Sequence, residues 1–312
     1  MNAIGIVTCA RDIHARAVQV ELEQKFKNTC HIFSVDTIRD QGGCSWSLHH
    51  DSSPTLATDV GEIIDIRSLG ALWMRRRGRR KSFGYSGLTD SPYWEFVAAN
   101  DDSAVSGILA QEFKGAWVDN PGAITAAENK ITQLSVARKV GLRSPATLVS
   151  QNPEQIIRFH EEHGGEIIVK SLRSVGATQP TRRVTKELLK DDASMRLCPA
   201  IYQEAIEGTE HLRVHIFGRH SFAAIIKSEE LDWRRNSYVE TRQFSLPSHL
   251  EEKLRNILSS LRLSMGIFDL KISKEGEYVW LEVNPQGQFL FMEGLSGIAL
   301  TNAVAQHLRE QA

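Results

Sequence analysis

Cysteine is scarce: Cys9, Cys30, Cys44 and Cys198 are the only four in 312 residues. Their spacings match neither a metal-binding pattern nor a paired framework. That excludes a disulfide scaffold and a structural zinc site, and it is the usage expected of free thiols in a reducing cytoplasm. No apolar run approaches the roughly 20 residues that a membrane span needs. Residues 1–7, Met-Asn-Ala-Ile-Gly-Ile-Val, have the pattern of a first strand and not of a signal peptide. Charge of one sign is not in excess either, since 37 Lys and Arg offset 38 Asp and Glu for a formal net charge of −1. Neither nucleic acid nor a membrane surface is implied by such a balance. Internal repeats, low-complexity stretches, a phosphate-binding P-loop and a nucleophile triad in context are all lacking.

What remains is a globular composition, 41% hydrophobic and 24% charged, with room for roughly two domains. The first ~115 residues alternate strand and helix signals, which predicts an α/β layer. Strands are expected at 3–8, 30–35, 71–74 and 116–118, and helices at 14–26 and 93–113, with loops and one hairpin over 36–68. Ile124, Ala127, Ile131, Leu134 and Ala137 recur at spacings of three and four, predicting one helix over 124–140 stopped by Gly141. A helix over 153–162 follows, with Asn152 as its cap. Strands are expected at 146–149, 166–170 and 201–205, a hairpin across Gly218-Arg219, and helices at 250–263 and about 297–309.

The most informative stretch is 266–289. Two alternating runs flank Glu275-Gly276 and predict a β-hairpin. If Ser273 opposes Tyr278, then Phe268 faces Val283, Leu270 faces Leu281 and Ile272 faces Val279, giving one apolar side. The same register sets Asp269 opposite Glu282, with Asn284 further along that side. Opposed carboxylates repel, so a cation is expected between them. Two carboxylates and an amide oxygen are hard ligands suited to Mg²⁺.

Cationic residues accompany this hairpin. Lys170 ends an apolar strand, Lys130 lies on a helix, and Arg213 sits within an apolar strand, where a carboxylate or phosphate partner is expected. Asp232-Trp233-Arg234-Arg235-Asn236 offers a further anion-binding group.

Helix lysine, strand-end lysine, Gln203-Glu204-Ala205-Ile206, Glu210, Arg213, Arg234 with Asn236, Asp269, then Glu282 with Asn284: this order resembles the ATP-grasp superfamily. The match is closer still to peptide-modifying ligases of the microviridin or graspetide type. It rests on Leu72-Trp73-Met74-Arg75-Arg76, Ala127-Glu128-Asn129-Lys130 with Gln133-Leu134, Ser144-Pro145-Ala146-Thr147, Asp232-Trp233-Arg234, and Leu281-Glu282-Val283-Asn284-Pro285 with Gly287-Gln288. Gln286 and Phe289 stand where the resemblance leads one to expect Asn and Trp.

The resemblance implies an α/β chain with α+β lobes: an N-terminal pre-ATP-grasp domain over 1–119 and an ATP-grasp domain over 120–312. Within the latter it implies a lid over about 145–204 and a C-terminal Mg-ATP subdomain over 205–312. By the same resemblance, Lys130 and Lys170 would bind ATP phosphates, Gln203, Glu204 and the backbone near Ile206 the adenine side, and Glu210 the ribose. Asp269, Glu282 and Asn284 would hold Mg²⁺, while Arg213 and Arg234, assisted by Asn236, would stabilise the phosphoryl group in flight. The implied reaction is ATP-dependent ester or amide formation through an acyl phosphate, on a precursor peptide with a leader and an acidic core, by a cytoplasmic homodimer. Two other readings are an amino-acid ligase acting on a protein terminus or small acid, and a non-catalytic ATP-binding regulator.

Arg75, Arg76, Arg77, Arg79, Arg80 and Lys81 form a basic run, either a solvated loop or a patch that attracts an acidic peptide. Trp46, Tyr85, Tyr93 and Trp94 are expected in the core before a peptide groove. Replacing Arg79, Arg80 and Lys81 with serine is predicted to weaken peptide binding in a salt-dependent way. Unchanged affinity at low salt, measured by fluorescence anisotropy, would exclude the patch.

Overall fold

A computed structural model describes residues 2–48, 52–76, 93–173, 180–235 and 239–312. Arg77, Arg79, Arg80, Lys81, Tyr85, Gly176 and Asn236 fall outside them.

The chain opens with β1 (Ala3–Thr8), α1 (Ile13–Gln24) and β2 (Cys30–Ser34). Next come three short strands, β3 (Cys44–Ser45), β4 (Thr55–Ala57) and β5 (Ile63–Asp65), which pair into a small antiparallel sheet where one hairpin was expected. β6 (Leu69–Met74), α2 (Trp94–Glu112) and β7 (Ala116–Val118) complete the N-terminal unit. Its main sheet is parallel in the order β2-β1-β6-β7. Strands of a parallel sheet are covered on both faces and so read as continuous apolar runs. Here Val7 and Leu72 pack toward Val105 and Leu109 of α2, while Ile4, Ile6 and Trp73 pack toward α1.

Two helices follow, α3 (Pro121–Ala127) and α4 (Lys130–Lys139). The single helix expected over 124–140 is therefore broken. Asn129 turns its side chain onto the amides of Ile131 and Thr132 at 3.0 and 3.2 Å. That is an N-cap, and it restarts the helix with Lys130 as its first residue.

Then come β8 (Thr147–Ser150), α5 (Pro153–Glu162), β9 (Ile167–Lys170), β10 (Arg182–Arg183), α6 (Asp192–Leu197) and β11 (Ala200–Glu204). Their sheet is antiparallel, ordered β10-β9-β11-β8. Ile156, Ile167, Val184, Met195 and Tyr202 form a small core of their own beneath it.

The last unit holds β12 (Glu210–Phe217), β13 (His220–Lys227), β14 (Glu240–Phe244), α7 (Ser248–Leu261), β15 (Met265–Ile272), β16 (Tyr278–Asn284), α8 (Leu290–Ser296) and α9 (Leu300–Gln311). Its antiparallel sheet runs β14-β13-β12-β15-β16. One face lies on α7, whose Leu250, Leu254, Ile257, Leu258 and Leu261 are all buried against Leu212, Val214 and Phe268. Burying each such side chain contributes roughly 1.5–3 kcal/mol. α9 crosses back onto the N-terminal unit, where Leu300, Val304 and Leu308 join Ala15, Val18 and Leu22 of α1. Two of the cores therefore run through both ends of the chain. No described helix is long and apolar enough to cross a membrane, and none of the four cysteines is in a disulfide.

The hairpin register holds only over its first half. Phe268 faces Val283 and Asp269 faces Glu282, but a bulge between Asp269 and Leu270 then pairs Leu270 with Trp280 and Ile272 with Tyr278. The Trp280 amide donates instead to Arg143 O at 2.8 Å, and the indole replaces Leu281 on the side facing α7. A bulge moves one residue out of the alternation, so the larger ring fills the space beneath α7.

Asp119 ties the N-terminal unit to β15 by accepting from Ser264 N at 2.8 Å and Ser264 Oγ at 2.6 Å, and His307 Nε2 lies 2.9 Å from the same hydroxyl. Burial pushes His307 down to about 4. An unfolded histidine, by contrast, takes its proton near pH 6.5. Between those values the unfolded chain binds the extra proton, so stability falls on acidification by up to about 1.4 kcal/mol per pH unit. His307→Gln should therefore flatten the decline in melting temperature between pH 7 and pH 5; an unaltered slope would assign that decline to other groups.

Candidate active site

On the face of the C-terminal sheet away from α7, Arg213 of β12 pairs in register with Asp269 of β15, and Asp269 with Glu282 of β16. Side chains on neighbouring strands at matched positions share a face, so these three form a row. Arg213 Nη1 donates to Asp269 Oδ1 at 2.7 Å. Arg234, held in a tight turn by its own amide bonded to Asp232 Oδ1 at 3.2 Å, reaches between the two acids. Its Nη2 lies 2.5 Å from Asp269 Oδ2 and 3.2 Å from Glu282 Oε1. Lys130, at the start of α4, donates to Glu282 Oε2 at 2.7 Å. A guanidinium, that of Arg234, thus lies between the carboxylates where Mg²⁺ was expected.

Two carboxylates about 5 Å apart at an effective dielectric near 20 repel by roughly 3 kcal/mol. Burial raises the Asp269 pKa, yet Arg213 and Arg234 outweigh it and hold the carboxyl below its ordinary value. For Glu282, burial and Asp269 raise the pKa, and Lys130, Arg234 and Lys170 bring it below normal. Lys170 is depressed, chiefly by burial and further by Lys130 and Arg234, with Glu282 opposing. Arg234 is raised by Asp269 first, against its own burial. Four cationic side chains thus meet three acids, Asp232, Asp269 and Glu282, which leaves an excess of positive charge. That suits a polyanion.

Arg213, Arg234, Lys130, Asp232 and Glu282 line a cavity of about 1630 Å³ together with Lys170, Arg173, Asn284 and, from the N-terminal unit, Asp36, Arg39, Arg76, Trp94 and Asp101, while Asp269 is buried behind Arg213 and Arg234 and is not part of that lining. A pocket for one small molecule takes roughly 300–1,000 Å³, so there is space here for two reactants. Asn284 is exposed, and its Oδ1 accepts the Gln286 amide at 3.1 Å. Two opposed carboxylates with a nearby amide oxygen are the hard oxygen donors Mg²⁺ accepts when phosphates and water complete its shell. Among the described residues no group of three or more His, Cys, Asp or Glu is placed to hold a metal.

Gln203, Glu204, Ile206 and Glu210 lie at the crossover between the two antiparallel sheets and are not among the lining residues. Gln203 is buried and donates to Thr147 Oγ1 at 2.8 Å, while its Oε1 has no partner. Glu204 accepts from the Ala146 amide at 3.1 Å and pairs with Arg143 at 3.3 Å. Glu210 pairs with Arg242 at 3.1 Å.

Sequence reasoning passed over two positions here. Gln133, fully buried, donates to Val283 O at 2.8 Å and accepts the Val283 amide at 3.1 Å, fixing β16 between Glu282 and Asn284. A polar residue beside an apolar helical stripe was the available signal. Arg75 heads a run expected to be solvated or peptide-binding, yet its side chain is 0% exposed. It follows β6 into the interior beside Asp12, at 3.6 Å. Of the aromatics expected in the core, Trp94 is buried with Arg39 over its ring, but Tyr93 and Trp46 are exposed. Tyr93 precedes α2 and Trp46 follows an edge strand, where its indole donates to Glu112 at 2.7 Å.

No protein-family model matches the chain. Among solved structures, the macrocyclase MdnC of Microcystis aeruginosa, bound with precursor peptide MdnA, superposes with a TM-score of 0.86 at 25% identity, over 99% of each chain. The RiPP-associated ATP-grasp ligase of Chryseobacterium gregarium, in complex with ADP and a leader and core peptide, gives 0.86 at 23% identity, over 100% of this chain and 98% of that one. Among curated proteins, the alpha-aminoadipate–LysW ligase LysX of Sulfolobus acidocaldarius is 20% identical over 194 residues, 58% of this chain and 70% of its own. The fold is the ATP-grasp fold over the full length. The chain thus shares its fold with ATP-grasp ligases and is similar over its whole length to a macrocyclase solved with its precursor peptide.

Arg213 and Arg234 should separate by their surroundings. Removing one partner of a buried ion pair costs about 3–5 kcal/mol, so Arg213→Met should lower the melting temperature markedly. Arg234 is more exposed, and Arg234→Met should cost less than Arg213→Met. It should also make the fold more responsive to Mg²⁺ alone, since the place between the carboxylates is vacated. A larger Mg²⁺-induced thermal shift in that variant than in wild type is the check.

Proposed function

We propose that this ligase activates a carboxylate of a ribosomally made precursor peptide with ATP and closes an ester or amide bond, making a macrocycle. The observation that carries the reading is the row Arg213–Asp269–Glu282 with Arg234 and Lys130, of which all but the buried Asp269 line a cavity large enough for nucleotide and peptide together. The resemblance to the macrocyclase MdnC, solved with its precursor peptide, supports the acceptor class.

In this reading Lys130 and Lys170 exchange carboxylate contacts for phosphate oxygens. Gln203, Glu204 and the backbone near Ile206 flank adenine, and Glu210 meets the ribose. Asp269, Glu282 and Asn284 would hold Mg²⁺, which when bound offsets phosphate charge and orients the transferring group. A peptide carboxylate oxygen attacks the γ-phosphorus, the bond to the bridging oxygen breaks, and ADP leaves. Arg213 and Arg234 meet the charge on the equatorial oxygens with donors already fixed by Asp269. A hydroxyl or amine then attacks the acyl carbon and loses its proton, and phosphate departs. Asn236, outside the described residues, belongs to this set by the resemblance alone.

The division into 1–119 and 120–312, with a lid over about 145–204, is part of the proposal and is supported by the separate core of that segment. Four cysteines outside any disulfide support a cytoplasmic setting. A homodimer is carried over from the resemblance alone, and light scattering decides it.

Mass spectrometry distinguishes the two enzymatic readings: the peptide loses water on macrocyclisation, whereas an amino-acid ligase, which the likeness to LysX favours, adds a residue. Glu282→Gln combined with Asn284→Ala should fold with a near-native melting temperature and lose ADP formation by about 10²-fold or more. Retained turnover would make the hairpin scaffold.

A further inference from the structure

Arg75 is a fully buried guanidinium; among the described residues its ion-pair partner is Asp12, whose Oδ2 is 3.6 Å away, and its Nη2 has no hydrogen-bond partner. Burial pushes its pKa down to about 10, against the pull of Asp12. A charge so weakly paired is a poor device for stability. Among the described residues its side-chain hydrogen bond leaves its own unit: Nη1 donates to the carbonyl of Gln286, in the loop that follows Glu282 and Asn284. Gln286 replies, its Nε2 donating to Met74 O at 2.9 Å, and its amide donates to Asn284 Oδ1 at 3.1 Å. Two residues on, Arg213 Nη2 donates to Gln288 O at 3.0 Å. Gly287 lies so close to β15 that an added Cβ would stand 2.7 Å from Ile267 Cδ1. The loop is thereby pinned from three sides, and one of them is the end of β6.

The same end of β6 carries cavity wall. The amides of Arg75 and Arg76 both donate to Val7 O, at 2.9 and 3.2 Å, and Arg76 lines the cavity with Arg39 and Trp94. Arg75 and Gln286 therefore set the distance between the wall built by the N-terminal unit and the row that handles phosphate.

Resting on the macrocyclase reading above, we infer that Arg75 and Gln286 are a positioning pair that aligns the acceptor with the acyl phosphate, deciding whether acceptor or water attacks. Water attack breaks the same acyl carbon–oxygen bond and returns carboxylate and phosphate, so ATP is spent without a bond formed. A displacement near 1 Å at a reacting centre can cost about 10²-fold in rate, whereas water needs no alignment. Loosening the pair thus slows transfer more than hydrolysis.

The test is the number of ADP molecules formed per ring closed, read by a coupled ADP assay and mass spectrometry on the full chain with a precursor peptide. Gln286→Ala keeps the backbone carbonyl that Arg75 holds and removes only the bond to Met74; Arg75→Lys keeps the charge and loses the fork. Both should raise the ADP-to-ring ratio at least threefold with KM for ATP within twofold of wild type, Arg75→Lys more than Gln286→Ala. Gln286→Glu, able to accept but not donate to Met74 O, should behave as Gln286→Ala. If Arg75→Lys fails to fold, the two Gln286 variants decide. A fall in both products at constant ratio would reduce the pair to scaffold and overturn the inference, as would no change at all. Wild type forming no ADP with any peptide would overturn the function proposed above and this inference with it; wild-type ring closure with an unmoved ratio overturns the inference alone.

Discussion

Two carboxylates fixed opposite each other on adjacent strands are the constraint from which much of this structure follows. Asp269 and Glu282 cannot both stay ionised at this separation unless cations meet them. Four cations do surround them, each from a different element: Arg213 from β12, Arg234 from the turn after β13, Lys130 from the first position of α4, and Lys170 from the end of β9. Even the bulge is placed to respect the pair, since the register is regular through Asp269 and slips only beyond it.

The site's electrostatics are arranged so that the protein neutralises its own acids until a polyanion arrives. Arg234 bridges the carboxylates and Lys130 holds the outer oxygen of Glu282. Under the proposed function, a triphosphate with its metal would offer these cations new oxygens and the carboxylates a new cation, so that charge is exchanged and little is exposed at any stage. Buried charge without such exchange would be a cost in stability with no return. The apolar supply is behind it: α7 on the far side of the sheet buries five aliphatic side chains, and two cores tie both ends of the chain together.

Much of this was legible in the sequence because period-two alternation places side chains on faces. The pattern from Ile267 to Asn284 placed Asp269 opposite Glu282, and the cation followed from repulsion. The slip beyond Asp269 was not legible, since Trp280 and Leu281 are both apolar and alternation alone does not choose which one lies beneath α7. Nor was the break at Asn129, because apolar spacing continues across it while a cap acts through one side chain. β10 and β14 were missed for a related reason: edge strands pair on one side, and Glu240-Thr-Arg-Gln-Phe has no apolar face to announce it. Arg75 misled for the opposite reason. Its neighbours in sequence are basic, so its composition reads as surface, whereas its burial is decided by Asp12 and Gln286.

Gln133, Gln286 and Arg75 share a feature that patterns of apolar residues do not encode: each recognises backbone in a distant segment. Gln133 presents one donor and one acceptor to Val283, as a neighbouring strand would. It thereby completes the edge of the sheet at the place where Glu282 and Asn284 must not move. A side chain can substitute for a strand in this way only if fully buried, because water would otherwise compete for the same groups. Arg75 does the corresponding work for the loop beyond. Precision at the carboxylates is thus obtained from neutral and weakly paired polar groups bonded to backbone, while the strongly paired ions are left free to change partners.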